Sequence, residues 1–159
     1  MDLKNGTTVL FVRDILISKK FYSGILGFTI DLDFGKNVIY SNGLTIWEIQ
    51  ESHIIPSTLG NANISDRHSN RFEMCFETET LPKDFELLKN NNVTFVHEVH
   101  EEPWGQRTIR FLDPDNHLIE IGESMKQFLT RFLESGMSID EVSRRTSVKV
   151  EDIRRLTGK

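Results

Sequence analysis

Cysteine, long apolar runs and excess positive charge are all scarce in this sequence, and each scarcity excludes a class of protein. Cys75 is the only cysteine among 159 residues, so an internal disulfide is impossible and a disulfide-rich secreted scaffold is excluded. No apolar stretch reaches the roughly 20 residues that a membrane-spanning helix needs. The N-terminal MDLKNGTTVLFVRD also lacks the basic start and long apolar core of a signal peptide. We therefore expect a cytoplasmic protein that does not enter a membrane.

Charge is distributed unevenly along the chain. The formal net charge is -5, which does not favour binding to nucleic acid or to an anionic membrane. Residues 1–122 carry 11 Lys or Arg against 18 Asp or Glu, whereas residues 123–159 carry 8 against 6. The two parts therefore differ in character and are expected to have different roles.

Apolar periodicity divides the chain into two similar halves and a tail. Each half is predicted to contain a strand, a helix and then three strands, because apolar residues alternate in the strands and recur every three to four residues in the helices. The predicted elements of the first half are Thr7–Val12, Leu16–Leu26, Phe28–Phe34, Asn37–Tyr40 and Leu44–Gln50; those of the second are Phe72–Thr78, a helix capped by Thr80, Val93–Val99, Arg107–Leu112 and Leu118–Ile121.

The remaining segments are a linker and a helical tail. Residues 51–70 are rich in Pro, Gly, Asn and Ser and are predicted to be a linker between modules at about 6–50 and 71–122. Residues 123–159 are predicted to be helical, with Ser124 as the first cap, a capping box that begins at Ser138 and a third helix near Val150–Leu156. We thus expect one domain over residues 1–122 and an appendage after it.

Three predicted strands each place an acid on one face and large apolar groups on the other. These acids are Glu48, Glu73 and Glu120, and Glu120 lies within the apolar run Leu118–Ile121. A single such carboxylate is ordinarily solvated. Three at corresponding places in repeated halves favour a shared site instead, and carboxylates that converge need a proton or a cation between them.

Several motifs resemble those of one superfamily over about residues 6–122. They are Val12-Arg13-Asp14, Ser18–Tyr22 with Leu26-Gly27-Phe28, Pro103-Trp104-Gly105, and Phe111–His117 followed by Ile119-Glu120. In order and length they resemble the vicinal oxygen chelate superfamily, which includes glyoxalase I, bleomycin- and fosfomycin-resistance proteins and extradiol dioxygenases. The resemblance implies an α+β fold of paired βαβββ modules, whose curled mixed sheets surround a cleft, commonly in a homodimer.

The resemblance also implies a set of metal-ligand positions. Carried over residue by residue, they fall on Glu48, Glu73, Glu120 and Thr7, where Thr7 takes a place that is usually His or Gln. Three carboxylates and a hydroxyl suit Mg²⁺, Mn²⁺ or Ca²⁺ better than Zn²⁺ or Ni²⁺. The same set is also compatible with no metal at all. If the protein is an enzyme, Glu48 and Glu120 are the expected proton-transfer groups.

Trp104, Gln106 and Arg107 are the expected ligand-binding residues, because Trp stacks on planar molecules and Arg binds anions. The alternative is an edge turn in which Arg107 pairs with a neighbouring acid. His97 and His100 are expected to face opposite sides of their strand, since their spacing is odd. Cys75 is expected to be a small packing residue.

The end of the tail, Ser138–Leu156, resembles a helix-turn-helix with Ser147 where Gly is common. Its candidate reading helix carries Glu151 and Asp152 beside Arg154 and Arg155, which is a thin basic footprint for phosphates. We therefore expect an appendage for dimerisation or packing, and DNA is not an expected partner.

Three functions remain open from the sequence. The first is a glyoxalase-like, metal-dependent lyase or isomerase similar to lactoylglutathione lyase. The second is a non-catalytic protein that binds or sequesters a small molecule, which the missing first-strand His favours. The third is a ligand-sensing regulator with a DNA-binding tail. All three share a cleft for a small molecule.

Overall fold

The computed structural model of the chain describes Met1, residues 6–60 and residues 72–159. These fall into two compact units. The first lies within Met1–Arg71 and includes Asp113–His117, and the second comprises Phe72–Leu112 and Leu118–Lys159.

A four-stranded mixed sheet forms the centre of the first unit, with strand order β1-β4-β3-β2. The first strand pairs in parallel with the last, and the other pairs are antiparallel. Alternate apolar side chains on these strands supply its core, including Leu10, Val38 and Ile46. The strands are β1 (Thr8–Phe11), β2 (Ile30–Asp33), β3 (Asn37–Tyr40) and β4 (Leu44–Trp47).

The helix of the first unit changes its hydrogen-bonding pattern part-way along. Asp14 caps α1 (Ile15–Lys19) by accepting hydrogen bonds from the backbone N–H groups of Leu16 and Ile17. The chain then continues as a π-helix over Lys20–Ile25, within the predicted Leu16–Leu26. Its buried Phe21 and Tyr22 belong to the core of the unit.

The predicted linker contains a short helix, α2 (Ile54–Leu59), which His53 caps through Nδ1. The sequence analysis did not predict this helix, and the linker between the modules stays a prediction. The rest of the predicted linker, including Asn61, Asn63 and His68, lies largely outside the described residues.

The second unit repeats this architecture. Its sheet has the order β5-β8-β7-β6, again with the first and last strands parallel. The expected Thr80 cap before the helix is not made, because the Thr80 hydroxyl bonds to the Asp84 carboxylate instead. The elements are β5 (Met74–Thr78), α3 (Leu81–Asn90), β6 (Thr94–Glu101), β7 (Arg107–Leu112) and β8 (Leu118–Glu123).

Three helices follow β8 and have a hydrophobic core of their own. They are α4 (Met125–Glu134), α5 (Ile139–Thr146) and α6 (Val150–Thr157). Ser124 and the Ser138–Glu141 capping box begin the first two, as predicted. Five buried side chains form the core between them: Phe128, Leu129, Phe132, Val142 and Ile153.

Two open four-stranded mixed sheets with helices, followed by C-terminal helices, confirm the predicted fold class. Within the described part of the chain, no helix combines the length and apolar character that crossing a bilayer requires.

Candidate functional site

Arg110 on β7 is the centre of the charged cluster in the second unit. Its Nε donates to Glu73 at 2.8 Å and its Nη1 donates to Glu102 at 2.7 Å. Its Nη2 forms an ion pair with Glu120. Each nitrogen of the guanidinium thus meets a different carboxylate. The acid that the sequence places inside an apolar strand is paired with a cation from the chain itself.

Strand register explains why these groups meet. Arg110 pairs with Glu120 across the antiparallel strands β7 and β8, and with His97 across β6 and β7. Cys75 pairs with Glu120 on the other side of β8. Residues directly opposite on one face have their side chains within reach of each other. The four therefore form a row across the sheet.

The pKa values in this cluster are shifted by burial and by the excess of carboxylates over guanidinium groups. Burial raises the pKa of Glu120, and the charges of Glu73 and Glu102 raise it further, against the lowering effect of Arg110. The hydrogen bond from Arg110 lowers the pKa of Glu102. Burial, followed by the charges of Glu120 and Glu73, raises the pKa of Cys75 to about 11. A thiol with that pKa is protonated at neutral pH and is a poor nucleophile.

His97 and His100 lie on the same side of β6, contrary to expectation. The pairing of β6 with β7 shifts register between them, and their rings are 5.7 Å apart. An extra residue in a strand changes the face on which later side chains lie. The Nε2 atom of His97 also lies 3.2 Å from Nη1 of Arg110.

Glu48 lies just beyond the end of β4 in the first unit. Its carboxylate accepts a hydrogen bond from the backbone N–H of Ile15 at 3.0 Å, in the first turn of α1, where negative charge is favourable. It also accepts one from Lys36 Nζ at 2.6 Å, and this bond lowers the pKa of Glu48. Glu48 and Glu120 belong to different units, and a cleft that they share stays a prediction.

The Thr7 hydroxyl donates to the carbonyl oxygen of Gly43 and lies 3.5 Å from the hydroxyl of Thr45. Among the described residues, no group of three or more His, Cys, Asp or Glu side chains is arranged to hold a metal ion. Within the second unit, Glu73 and Glu120 do not fit a divalent metal as they are arranged, because Arg110 binds both of them. We therefore derive no chemical step through a metal.

Of the expected ligand-binding residues, Trp104 and Gln106 lie in the loop between β6 and β7, and Arg107 begins β7. Trp104 is 43% exposed, and its Nε1 donates to Gln106 Oε1 at 3.2 Å. The amide nitrogen of Gln106 donates to the carbonyl of Glu123 at 2.8 Å. Arg107 Nε lies 3.6 Å from Glu101, so its charge is partly balanced. Trp104 thus offers an open aromatic surface, whereas Gln106 holds the loop.

Sequence reasoning missed Arg110 and Glu102, although a signal for Arg110 was present. The segment Asp113–His117 joins β7 to β8, and the register of this antiparallel pair places Arg110 opposite Glu120. An opposite-charge pair directly across two strands is a recognisable feature. Glu102 has no such signal, because it lies just after β6 in the loop.

A family profile described as "Glyoxalase-like domain" matches residues 6–126. The chain belongs to this family. Its membership agrees with the motifs that resemble the vicinal oxygen chelate superfamily.

Solved structures support the assignment. A protein of unknown function from Agrobacterium tumefaciens str. C58 is 32% identical, with 79% of this chain and 97% of that chain covered at a TM-score of 0.67. A glyoxalase/bleomycin resistance protein/dioxygenase family enzyme from Burkholderia phytofirmans PsJN is 17% identical, with 77% and 100% covered at 0.62. Lactoylglutathione lyase from Agrobacterium tumefaciens is 23% identical, with 74% and 91% covered at 0.56. Comparison with curated proteins returned no match.

Proposed function

We propose that this family member binds a small organic molecule without a divalent metal centre. The observation that supports the proposal is the position of Arg110, which engages Glu73, Glu102 and Glu120 at once. A metal would have to displace a guanidinium that already neutralises part of their charge. Arg110 on β7 therefore provides the positive charge that the converging carboxylates require.

The same cluster indicates the class of ligand. Three carboxylates against one guanidinium leave a formal charge of -2, which favours a cationic ligand over an anionic one. Exposed Trp104 lies in the loop that begins at Glu102, and an indole favours planar cations through stacking and cation–π attraction. We therefore propose a planar organic cation as the ligand, in a sequestering or sensing role.

A metal-dependent lyase is the second candidate. The observation in its favour is Glu120, whose raised pKa brings it closer to that of a useful proton-transfer group. In this candidate a metal would be held by the positions that the family resemblance assigns, and Arg110 would have to leave two of them.

Metal titration separates the two candidates. Protein stripped with a chelator is titrated with Mg²⁺, Mn²⁺, Ca²⁺, Zn²⁺ or Ni²⁺ by calorimetry, and is then assayed for lactoylglutathione lyase activity with each metal. We expect neither saturable binding at micromolar metal nor activity. Arg110→Met should gain divalent-metal affinity, because the three carboxylates lose their cation. Arg107→Met, which removes an arginine of the same strand, should not.

Ligand binding is tested with two planar probes in the presence of chelator, the cation proflavine and the anion anilinonaphthalene sulfonate. Proflavine should bind more tightly, and Trp104→Ala should weaken its binding about tenfold, which matches the value of one stacking contact. Stoichiometric metal binding by the natural sequence, with lyase activity that depends on it, would replace this proposal with the lyase.

A further inference from the structure

The C-terminal tail lies against the loop that carries Trp104. We propose that helix α4 positions this loop, with Arg131 and Phe132 as its positioning residues, so that the tail is a working part of the ligand site. The inference rests on the proposed use of Trp104 in binding. It gives a role to residues 127–159, which lie beyond the matched Glyoxalase-like domain.

Arg131 binds the loop backbone and the last strand together. Its Nη2 donates to the carbonyl oxygen of Gly105 at 2.6 Å and to Glu123 Oε2 at 2.8 Å. Its Nε donates to Glu123 Oε1 at 3.2 Å. This two-point contact with a carboxylate fixes the plane of the guanidinium and therefore the position of the carbonyl that it holds.

Glu123 extends the connection to Trp104. Glu123 is only 4% exposed, and its carboxylate also accepts a hydrogen bond from the backbone N–H of Arg107 at 3.0 Å. Its carbonyl accepts from Gln106, whose side-chain oxygen in turn accepts from the indole of Trp104. A continuous path of hydrogen bonds thus joins Arg131 on the tail to the aromatic side chain in the loop.

Phe132 fixes the same loop by packing. Gly105 has a φ of +99°, and a Cβ added there would lie 2.5 Å from Cε2 of Phe132. Arg145 also packs on this ring, with its guanidinium carbon 4.3 Å from the ring centroid. Arg145 also donates to Glu101 at 2.8 Å, at the end of β6. A side chain at position 105 would therefore clash with the Phe132 ring and would be strained at this φ, which favours glycine there.

Fixing the loop before a ligand arrives improves affinity, because the cost of ordering it is met during folding. Without Arg131, Glu123 would keep a buried charge without its cation, and the loop would lose a bond to its backbone. We expect the loop to move more and the indole to become more accessible, although the sheet beneath it stays folded.

The first experiment reads the loop without any ligand. In a Trp47→Phe background, Trp104 is the one tryptophan of the chain, so acrylamide quenching reports its accessibility. Arg131→Ala should increase the quenching constant, and Arg131→Lys should give an intermediate value, since it keeps the charge and loses the fork. The matched control is Arg154→Ala, an exposed arginine of the same tail, which should leave quenching unchanged.

The second experiment measures proflavine binding by the same variants, together with their melting temperatures. Arg131→Ala should weaken binding about tenfold through lost preorganisation. A purely structural role would lower the melting temperature of Arg131→Ala and leave quenching and probe affinity, measured well below that temperature, equal to those of Arg154→Ala. That result would overturn the inference. Should Arg131→Ala fail to fold, Arg131→Lys and Phe132→Leu carry the same comparison.

Failure of the inference and failure of the proposed function give different results. If the natural sequence does not bind proflavine, the proposed ligand class is wrong, and quenching still tests the contact between tail and loop. If proflavine binds and quenching does not respond to position 131, the ligand site stands and the positioning role is wrong.

Discussion

At the scale of single residues, the guanidinium of Arg110 allows three carboxylates to lie side by side. Each carboxylate would otherwise repel the others. Arginine suits this position better than lysine, because its planar fork presents several donors in fixed directions and stays charged at all relevant pH values. The guanidinium of Arg110 therefore matches both the charge and the arrangement of the three carboxylates.

Replacing this side chain tests the value of the fork. Arg110→Lys should melt below the natural sequence and above Arg110→Met, because lysine keeps the charge but cannot meet Glu73, Glu102 and Glu120 at once. Leaving partly buried carboxylates without a cation costs on the order of 3–5 kcal/mol in buried sites, and less here because the cluster is partly exposed. Urea unfolding of the three proteins measures the order, and equal stabilities would contradict it.

Glu102 should stabilise the fold in a pH-dependent way. Arg110 lowers its pKa, so the folded state favours the charged form. Its contribution is present above the unfolded pKa, which is about 4.3, and is lost as the pH falls through the lower folded pKa. Glu102→Gln should therefore destabilise the protein at neutral pH, and the difference should shrink in acid. Urea unfolding between neutral and acid pH checks this.

Glu120 should show the opposite dependence on pH. Burial raises its pKa, so the folded state disfavours the charged form. The stabilisation that it contributes is present below the unfolded pKa, about 4.3, and is lost as the pH rises through the folded pKa. The natural sequence should thus lose stability relative to Glu120→Gln as the pH rises. If the natural sequence instead became more stable relative to Glu120→Gln as the pH rises, the attraction of Arg110 would outweigh the effect of burial.

Residue-level predictions from the sequence succeeded where one strand was enough to make them. Alternation along a single strand placed Glu73 on the face away from the large apolar groups, and Glu73 does lie in the charged cluster. The partner of Glu120 could not be found in that way, because a pairing across strands depends on register. Register also changes at bulges, which is why His97 and His100 were placed on opposite faces.

At the scale of elements, the end of α5 and the start of α6 have helix-turn-helix features. Ser147 has a left-handed conformation with a φ of +60°, in the short turn that joins the two helices. Buried Val142 and Ile153 hold them together. Yet the first turn of α6 carries Glu151 and Asp152, which suit a helix N-terminus and oppose contact with phosphate or base edges there.

We therefore predict that the protein lacks salt-sensitive DNA binding. Non-specific binding relies on neutralising phosphates, and two acids at the start of the second helix reduce that effect. Fluorescence anisotropy with a labelled duplex at about 50 mM and 200 mM salt covers the range in which such binding changes strongly. The Glu151→Gln/Asp152→Asn variant is the control that should gain affinity. Tight binding by the natural sequence, weakened by salt, would support a regulator instead.

Element predictions were most successful where the apolar period was long or a cap was unambiguous. The capping box at Ser138 formed as predicted, because both of its partners lie within four residues. Thr80 was chosen as a cap by residue type alone, and Asp84 proved to be a competing partner for its hydroxyl. Helix α2 was missed because its six residues are too short for a period to be recognised.

At the scale of the whole molecule, the chain is a Glyoxalase-like domain with added helices. The matched family region ends at residue 126, and the matched structure from Burkholderia phytofirmans PsJN is covered completely by 77% of this chain. The three helices have their own core and, within the second unit, also contact the end of β6 and the loop after it through Arg131, Phe132 and Arg145.

Truncation after Ser124 should lower the melting temperature or cause aggregation. It removes Arg131 from buried Glu123 and exposes the surface around Gly105 that Phe132 covers. Calorimetry and size-exclusion chromatography measure stability and assembly together, and also test the predicted homodimer. Truncation after Thr146 keeps α4 and its contact with Gly105 but removes Ile153 from the core of the tail, so it should have a smaller effect. If the protein truncated after Ser124 melted at the same temperature as the natural sequence, that result would contradict this account.

The contact between Arg131 and Gly105 also sets an order of events during synthesis. Gly105 leaves the ribosome 26 residues before its partner Arg131, and domains generally fold from the N-terminus while the chain is still growing. Both sheets can pair once β8 has emerged, whereas the loop must wait for α4, and Arg145 follows later still. A nascent chain that has completed both sheets would therefore not yet bind a ligand of the proposed kind with full affinity, and that capacity would arrive only after α4 has emerged.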